Sequence, residues 1–247
     1  MRTLQVSTLL RTYFRPVSPS LCRLKSTAVE VDSRKLTTRD EETVTFYGTL
    51  ANTWWDEQGQ IKPLHSLNKL RVQFVRDGLI NTGQIDPKHY DSPHPLQGLK
   101  ILDVGCGGGI FCEPLARLGA VVTGIDANQD MIELAKCHAS QDPTLSDRLT
   151  YVCQTVEEHV TERKDYYDAI VASEVLEHVS QKELFLSSSV TSMKPGGSFF
   201  ITTLNRTFAL WLFGIVFAEY ILRAVPRGTH NVNECAMPHE VQALLEK

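Results

Sequence analysis

A glycine-rich turn between two apolar stretches constrains the fold more than any other feature of the sequence. Residues 101–111 read ILDVGCGGGIF, with four glycines in five residues directly after a run of branched apolar side chains. Glycine lets the backbone turn tightly and approach a ligand closely, and the first N–H groups of a following helix point toward the polar atoms of that ligand. The stretch therefore predicts a strand, a ligand-binding turn and a helix, in that order.

Short apolar segments alternate with helical patterns after residue 98. The predicted strands are Lys100–Val104, Ala120–Ile125, Leu149–Cys153, Ala169–Ala172 and Ser198–Thr202. The predicted helices between them are Ile110–Leu118, Gln129–Ser140, Val156–Val160 and Gln181–Met193. This alternation is typical of an α/β domain with a parallel sheet covered by helices on both faces. We expect that domain over residues 99–247, preceded by a helical cap over residues 41–98.

The glycine turn and the strand after it indicate the ligand. A dinucleotide-binding turn needs a small residue where this sequence has Ile110, so NAD is disfavoured. Asp126 ends the next strand about twenty positions later, as expected of a carboxylate that binds both hydroxyls of a ribose. Asp103 suits a cationic ammonium or sulfonium group, as in S-adenosylmethionine, unless it only orders the turn by accepting backbone N–H groups.

Two clusters of carboxylates and histidine follow later strands. Glu174, Glu177 and His178 would share one face of a helix, where they suit Mg²⁺ better than a structural zinc ion. The alternative is a solvated helix start, with the carboxylates favoured by the helix dipole and His178 a lone general base. In the second cluster, residues 157–159 (EEH), adjacent side chains point in different directions, so a solvated face is expected.

The first 40 residues differ in charge from the rest of the chain. Residues 1–29 hold no acidic residue and five basic ones, Arg2, Arg11, Arg15, Arg23 and Lys25. This composition, rich also in Ser and Thr, predicts a mitochondrial presequence and linker over residues 1–40; the alternative is a disordered basic tail. The remaining chain holds 29 acidic and 20 basic residues, so no nucleic-acid partner is expected.

Taken together, several motifs resemble those of known methyltransferases. LDVGCGGG, VTGIDAN, ASEVLEHV, MKPGG and TTLNR resemble class I S-adenosylmethionine-dependent methyltransferases. More narrowly, TVEEH, TTLNRT, AEYILRAVPRGTH and LHSLNKLRVQFV resemble the ubiquinone biosynthesis O-methyltransferase family. The resemblance implies a Rossmann-like class I sheet. It also implies methylation of phenolic hydroxyls on polyprenylated dihydroxybenzoate and demethylubiquinol intermediates of ubiquinone (coenzyme Q) biosynthesis.

The same resemblance implies site residues, partners and a location, but no catalytic residue. The positions that match S-adenosyl-L-methionine contacts are Arg71, Gly105, Asp126 and Ser173. Those that match a divalent cation, expected to be Mg²⁺, are Glu174, Glu177 and His178. The implied partners are a polyprenylated aromatic substrate and other ubiquinone-biosynthesis proteins in a multi-subunit complex. The implied location is the mitochondrial matrix, peripheral on the matrix face of the inner membrane.

The C-terminal part leaves alternatives open. Residues 206–230 contain an apolar run, Phe208–Ala218, that is too short to span a bilayer. It is expected to line a groove for the polyprenyl tail, to lie in the membrane interface or to be a buried core helix. The sequence shows five strands where the class I fold has seven, so we expect a sheet truncated before the C-terminal strand hairpin, with its fifth strand exposed. The second hypothesis is therefore a non-catalytic cofactor-binding subunit of a ubiquinone-synthesis complex.

Overall fold

The computed structural model describes residues 3–6, 37–203 and 238–246. In this part of the chain, six parallel strands form one sheet with the order β1-β6-β5-β2-β3-β4. The strands are β1 (Thr3–Val6), β2 (Lys100–Val104), β3 (Val121–Asp126), β4 (Leu149–Cys153), β5 (Tyr167–Ser173) and β6 (Met193–Thr202). The α/β class and the parallel sheet expected from the sequence are confirmed.

Helices lie between β1 and β2, connect the later strands and follow β6. The α-helices are α1 (Glu41–Thr49), α2 (Lys62–Asn81), α3 (Cys112–Arg117), α4 (Gln129–Ala139), α5 (Val156–His159), α6 (Lys182–Ser192) and α7 (Pro238–Leu245). Side chains fix several of their starts: Asp40 accepts hydrogen bonds from two N–H groups of the first turn of α1, and Asn128 accepts one at the start of α4. The predicted helices are therefore present, although α3 is shorter than the predicted Ile110–Leu118.

The segment KPGG lies inside β6 rather than in a turn before it. The sequence predicts that its proline and glycines end a helix and lead into a strand that begins at Ser198. In the structure β6 already begins at Met193, which pairs with Tyr167, and the next pair is Ala169 with Ser198. The extra residues form a bulge in which Gly196 has a φ of 86°. The prediction placed the strand's start too late because a bulge has the same composition as a turn.

The edge of β6 is paired, which corrects the expectation of an exposed fifth strand. Thr3–Val6 run parallel to β6, in register with Ser198–Ile201. These four residues belong to the predicted presequence, whose role in import the strand pairing does not test. The rest of that segment up to residue 36, and the apolar segment 206–230, lie outside the described residues. Of the helices in the described part, none is long and apolar enough to cross a membrane.

The core lies on both faces of the sheet because successive side chains of a strand point in opposite directions. Ile101 and Ala169 belong to one buried cluster, under α2, α3 and α4, whereas Leu102 and Ile170 belong to the other, under α6 and α7. A third, smaller cluster joins the N-terminal cap to the glycine turn and α4. Its buried members are Trp54, Ile61, Ile110 and Met131.

Candidate ligand-binding site

A cavity opens at the carboxyl ends of the central strands. The strand order reverses between β2 and β5, and in open α/β sheets ligands bind at this point. The cavity is lined by the glycine turn, the ends of β3, β4 and β5, and the N-terminal cap. All four predicted cofactor contacts, Arg71, Gly105, Asp126 and Ser173, line it. The structure therefore brings together residues that lie up to 102 positions apart in the sequence.

The glycine turn forms the floor of the cavity. Gly105 has a φ of 74°, in the left-handed region, and its N–H donates to the carbonyl of Ile125 at 2.8 Å. A Cβ atom at this position would lie 2.5 Å from the side chain of Val175. Gly107 also has a positive φ, and its N–H donates to Oδ2 of Asp126 at 2.8 Å. Only glycine satisfies both the conformation and the space at Gly105.

Asp126 ends β3, where the sequence predicts the ribose-binding carboxylate. Its Oδ1 accepts a hydrogen bond from the N–H of Asn128 at 2.9 Å, and its Oδ2 accepts the bond from Gly107. Burial raises the pKa of Asp126, and these backbone donors oppose that shift. A carboxylate has about four acceptor positions, so both oxygens keep capacity for hydroxyl donors.

Arg71 reaches the cavity from α2 and is 4% exposed. Its Nη1 donates to Oγ of Ser173 at 3.0 Å, and its Nη2 donates to Oδ1 of Asn68 at 3.1 Å. The Ser173 hydroxyl in turn bonds to that of Thr202. The Nε–H of Arg71 is buried and has no partner among the described residues. Because a buried unsatisfied N–H is costly, this group indicates that a ligand acceptor belongs here.

Asp103 is a buried carboxylate in the wall of the same cavity. It is 2% exposed, and its Oδ2 accepts the S–H of Cys112 at 3.0 Å. Burial raises the pKa of Asp103 to about 6, although the Cys112 hydrogen bond and Arg71 oppose the shift. The hydrogen bond shown to this carboxylate comes from a thiol, so the structure does not support the alternative that it orders the turn through backbone N–H groups.

Two cysteines lie beside the glycine turn and are free and buried. Burial raises the pKa of Cys106 to about 11 and that of Cys112 well above its ordinary value. Their sulfur atoms pack against the backbone of Gly124, where a Cβ atom would lie 2.9 Å from each. Both side chains therefore remain protonated thiols at neutral pH.

The N-terminal cap forms the roof of the cavity. The indole of Trp54 lies on the glycine turn so closely that a Cβ atom at Gly107 would be 2.7 Å from it. The hydroxyl of Tyr47 is 3.0 Å from Nε2 of His178, and burial and nearby carboxylates raise the pKa of Tyr47. The amide of Asn128 donates to the carbonyl of Val44 at 2.6 Å. Together with a contact at Glu157, these interactions hold the roof at four separate places on the α/β domain.

Glu157 binds residues 37 and 38, which lead into the cap, contrary to the expectation of a solvated face at 157–159. Its carboxylate accepts hydrogen bonds from the backbone N–H of Thr38 at 2.9 Å and from the hydroxyls of Thr37 and Thr38. Glu158 accepts from the N–H of Thr155 at the start of α5, and His159 is 5% exposed. The prediction was wrong because each side chain of this short helix meets a different partner.

The predicted metal-binding residues do not form the expected helix face. Glu174 lies before any helix, with a left-handed φ of 57°, and only Leu176–His178 form a 3-10 turn. The Glu177 carboxylate accepts the hydroxyl of Thr203 at 2.8 Å, while Nε2 of His178 faces Tyr47. Within residues 3–6, 37–203 and 238–246, no group of three His, Cys, Asp or Glu side chains is arranged to hold a metal ion. In this arrangement the described residues do not fit a divalent cation.

Sequence reasoning found the floor of the cavity but missed its roof. Trp54 and Tyr47 lie in no motif of known chemistry. Asn128 ends the VTGIDAN motif but had no contact assigned to it, and the partners of all three residues lie far along the chain. The two adjacent tryptophans at 54 and 55 were the available signal, since large apolar side chains in a helical cap need a surface to cover.

Comparison with known proteins shows which family the chain belongs to. A family model described as a methyltransferase domain matches residues 85–240. The ubiquinone biosynthesis O-methyltransferase of Bartonella quintana is 41% identical over 211 residues, which cover 85% of this chain and 83% of that protein. The chain belongs to the ubiquinone biosynthesis O-methyltransferase family. The expectation from the sequence motifs is thereby confirmed.

Mammalian members of the family are longer than this chain. The human mitochondrial ubiquinone biosynthesis O-methyltransferase is 46% identical over 236 residues, covering 94% of this chain and 63% of that protein. The rat mitochondrial ubiquinone biosynthesis O-methyltransferase is 44% identical over 244 residues, which cover 99% of this chain and 66% of that protein. The chain thus spans slightly less than two thirds of the length of these two relatives.

A solved structure supports the fold. Magnesium protoporphyrin IX methyltransferase from Synechocystis PCC 6803, with bound SAH, matches with a TM-score of 0.58 at 18% identity. The match covers 83% of this chain and 87% of that one. At this identity the likeness confirms the class I methyltransferase sheet and nothing about the substrate.

Proposed function

We propose that this protein transfers a methyl group from S-adenosyl-L-methionine to a phenolic hydroxyl of a polyprenylated aromatic ring. The proposed substrates are the dihydroxybenzoate and demethylubiquinol intermediates of ubiquinone biosynthesis. The observation that supports the cofactor is the Nε–H of Arg71, which has no partner within the described part of the chain and is buried in one cavity with the carboxylates of Asp103 and Asp126. The substrate class comes from the family, whose members are named for ubiquinone biosynthesis.

The charges along the cavity fit the parts of S-adenosylmethionine in order. Arg71 donates to Ser173, the last residue of β5, and its guanidinium would bind the α-carboxylate there. Asp103, at the end of β2, would face the ammonium group. Asp126, at the end of the next strand, β3, would accept both ribose hydroxyls. These residues therefore fit a ligand with a carboxylate, a cation and a diol.

When bound, the cofactor supplies an electrophilic methyl group on a sulfonium. The residues of this chain hold it in place and keep water away from it. Trp54 covers the glycine turn, and the Tyr47–His178 contact closes the roof beside the carboxylates that follow β5. Methyl transfer is an in-line displacement, so a rigid floor and a closed roof favour it by fixing the two reactants relative to each other.

The full chain can be tested by calorimetric titration with S-adenosylhomocysteine, followed by a methyl-transfer assay on a short-chain polyprenyl catechol. Binding and transfer together would support the proposal. Binding without transfer would support the non-catalytic subunit instead, and failure to bind would contradict both. Asp126→Asn should weaken binding about tenfold, because it replaces an ionised acceptor of two hydroxyls with an amide. Asp130→Asn, on the exposed side of α4, is the matched control.

The divalent cation remains a separate proposal, supported by the family resemblance and by the position of Glu174 and His178 in the cavity wall. Binding of Mg²⁺ through Nε2 of His178 would require the Tyr47–His178 contact to open, since Nε2 faces that hydroxyl. Methyl transfer should be measured after chelation with EDTA and again after Mg²⁺ is added back. Unchanged activity would remove the cation from the proposal.

We also propose a mitochondrial location with peripheral attachment to the matrix face of the inner membrane and to other ubiquinone-biosynthesis proteins. Support comes from the basic residues 1–29, the apolar segment 206–230 and the mitochondrial relatives. A fusion of the first 40 residues to a reporter tests import, and a diffuse cytosolic signal would contradict it. Charged substitutions at Phe213 and Phe217 should reduce sedimentation with liposomes.

A further inference from the structure

His159 is a buried histidine next to the cavity that the proposed reaction does not use. It ends α5, it is 5% exposed, and both of its ring nitrogens have partners. Nδ1 lies 2.9 Å from Oε1 of Gln154, and Nε2 lies 2.7 Å from the hydroxyl of Tyr167. Burial lowers the pKa of His159, so the ring is neutral and carries one N–H. Which of the two nitrogens carries the proton therefore determines how the side chains of Gln154 and Tyr167 are oriented.

The two partners of the ring indicate which nitrogen carries the proton. Nε2 faces the hydroxyl of Tyr167, and Nδ1 faces Oε1 of Gln154. An amide oxygen can only accept, so Nε2 accepts the O–H of Tyr167, while Nδ1 carries the N–H and donates to Oε1 of Gln154. This bond occupies the amide oxygen of Gln154 and leaves its NH₂ group for another partner.

Gln154 lies in the cavity wall on the far side of Asp126. It directly follows β4, the edge neighbour of β3, and its backbone N–H donates to the carbonyl of Asp126 at 3.1 Å. If the charged end of the ligand lies at Arg71 and the ribose at Asp126, the base extends toward β4. At that end of the cavity, the buried side chain of His159 fixes the orientation of the Gln154 amide.

We propose that His159 is a positioning residue that holds the Gln154 amide with its NH₂ group toward the base, so that the site selects a base with a hydrogen-bond acceptor nitrogen. The inference rests on the proposed function only for the presence of the nucleoside. Without His159 the amide is free to rotate, and its oxygen and nitrogen exchange places. The selectivity then disappears, while the carboxylate and ribose contacts remain.

The test measures dissociation constants by calorimetry for S-adenosylhomocysteine and for its 1-deaza and 7-deaza analogues. The full chain should bind one of the two analogues about tenfold more weakly than the parent, because one base acceptor is missing. His159→Phe should weaken binding of the parent about tenfold and remove this discrimination. In a Gln154→Ala background, His159→Phe should have no further effect on binding, since residues that act through one another are not additive.

Gln154→Glu tests the orientation without changing the buried histidine. The new carboxylate still accepts from Nδ1 of His159 but presents an oxygen to the base, so affinity for S-adenosylhomocysteine should fall about tenfold. Retained affinity in this variant would overturn the proposal, because it would mean that an acceptor already faces the base. Additive effects of His159→Phe and Gln154→Ala would overturn it as well.

Asp168→Asn is the matched structural control. Asp168 accepts the N–H of Lys100 and the Nζ of Lys194 near the start of β5, away from the cavity. Its loss should lower the melting temperature and leave the discrimination between analogues unchanged. Binding of the parent ligand and methyl transfer by the unaltered chain are measured first. Loss of both would refute the proposed function, whereas intact binding without discrimination would refute only the role of His159 and Gln154.

Discussion

The floor and the roof of the cavity are held by different kinds of interaction. The floor consists of the glycine turn and strand ends, whose backbone groups bond within the sheet, as Gly105 bonds to Ile125. The roof is the N-terminal cap, which side chains attach to the domain one contact at a time, as with Tyr47 and His178. We therefore expect the floor to open only when the sheet unfolds, and the roof to open while the sheet stays folded.

The largest expected effect is on the floor. Gly105→Ala combines a left-handed φ of 74° with a Cβ atom 2.5 Å from Val175, so we expect S-adenosylhomocysteine binding to fall more than about 100-fold. Gly83→Ala is the matched control, since Gly83 has a φ of 71° and nothing within 4 Å of the added atom. It should cost about 1 kcal/mol of stability and leave binding unchanged. If both substitutions weakened binding equally, backbone strain alone, and not the contact with Val175, would explain the loss of binding.

The next effect is on the roof. Trp54→Ala removes the indole that covers the glycine turn, so binding should weaken about tenfold and the free energy of unfolding should fall by about 3 kcal/mol. Trp55→Ala is the control, because Trp55 stacks on His138 at 3.4 Å and does not line the cavity. It should lower stability with a much smaller loss of binding. If both variants bound equally weakly, the roof would act as one rigid body.

The buried carboxylate of Asp103 should make both stability and ligand binding depend on pH. Its pKa of about 6 lies above the ordinary value of 3.8, so between these values the folded chain holds a proton that the unfolded chain has lost. The ligand-free protein should therefore lose stability as pH rises from about 4 to about 6. Binding of the cationic ligand should instead strengthen as pH rises through about 6, because the ionised carboxylate attracts the ammonium group. In Asp103→Asn, both dependences should diminish.

The smallest effect is expected at the edge of the roof. Glu157→Gln weakens the bonds to Thr37 and Thr38, and a partly exposed contact of this kind should change binding about threefold. Glu162→Gln, at an exposed position in the same part of the chain, serves as the comparison. Hydrogen exchange of residues 38–49 should become faster in the first variant only. No difference between the two variants would show that Glu157 does not hold the roof.

The difference between the floor and the roof also explains which parts of the structure could be predicted from the sequence. The glycine turn, Asp126 and the alternating strands are local patterns, so the sheet and most of the floor could be predicted from neighbouring residues. The hydrogen bonds of the roof join residues 84 to 131 positions apart, and no local pattern encodes such a pair. The face predicted for Glu174, Glu177 and His178 failed because Glu174 takes a left-handed conformation that interrupts the helix. Arg71 was assigned through the family resemblance alone.

The raised pKa values of Cys106 and Cys112 have a chemical consequence for a methyl donor. A thiolate is a strong nucleophile toward alkylating groups, whereas a thiol is not. Two sulfur atoms lie beside the turn that would hold a sulfonium ligand, yet burial keeps both protonated. We therefore expect the floor to resist alkylation by a sulfonium ligand bound there, which would leave the methyl group for an acceptor that enters from outside.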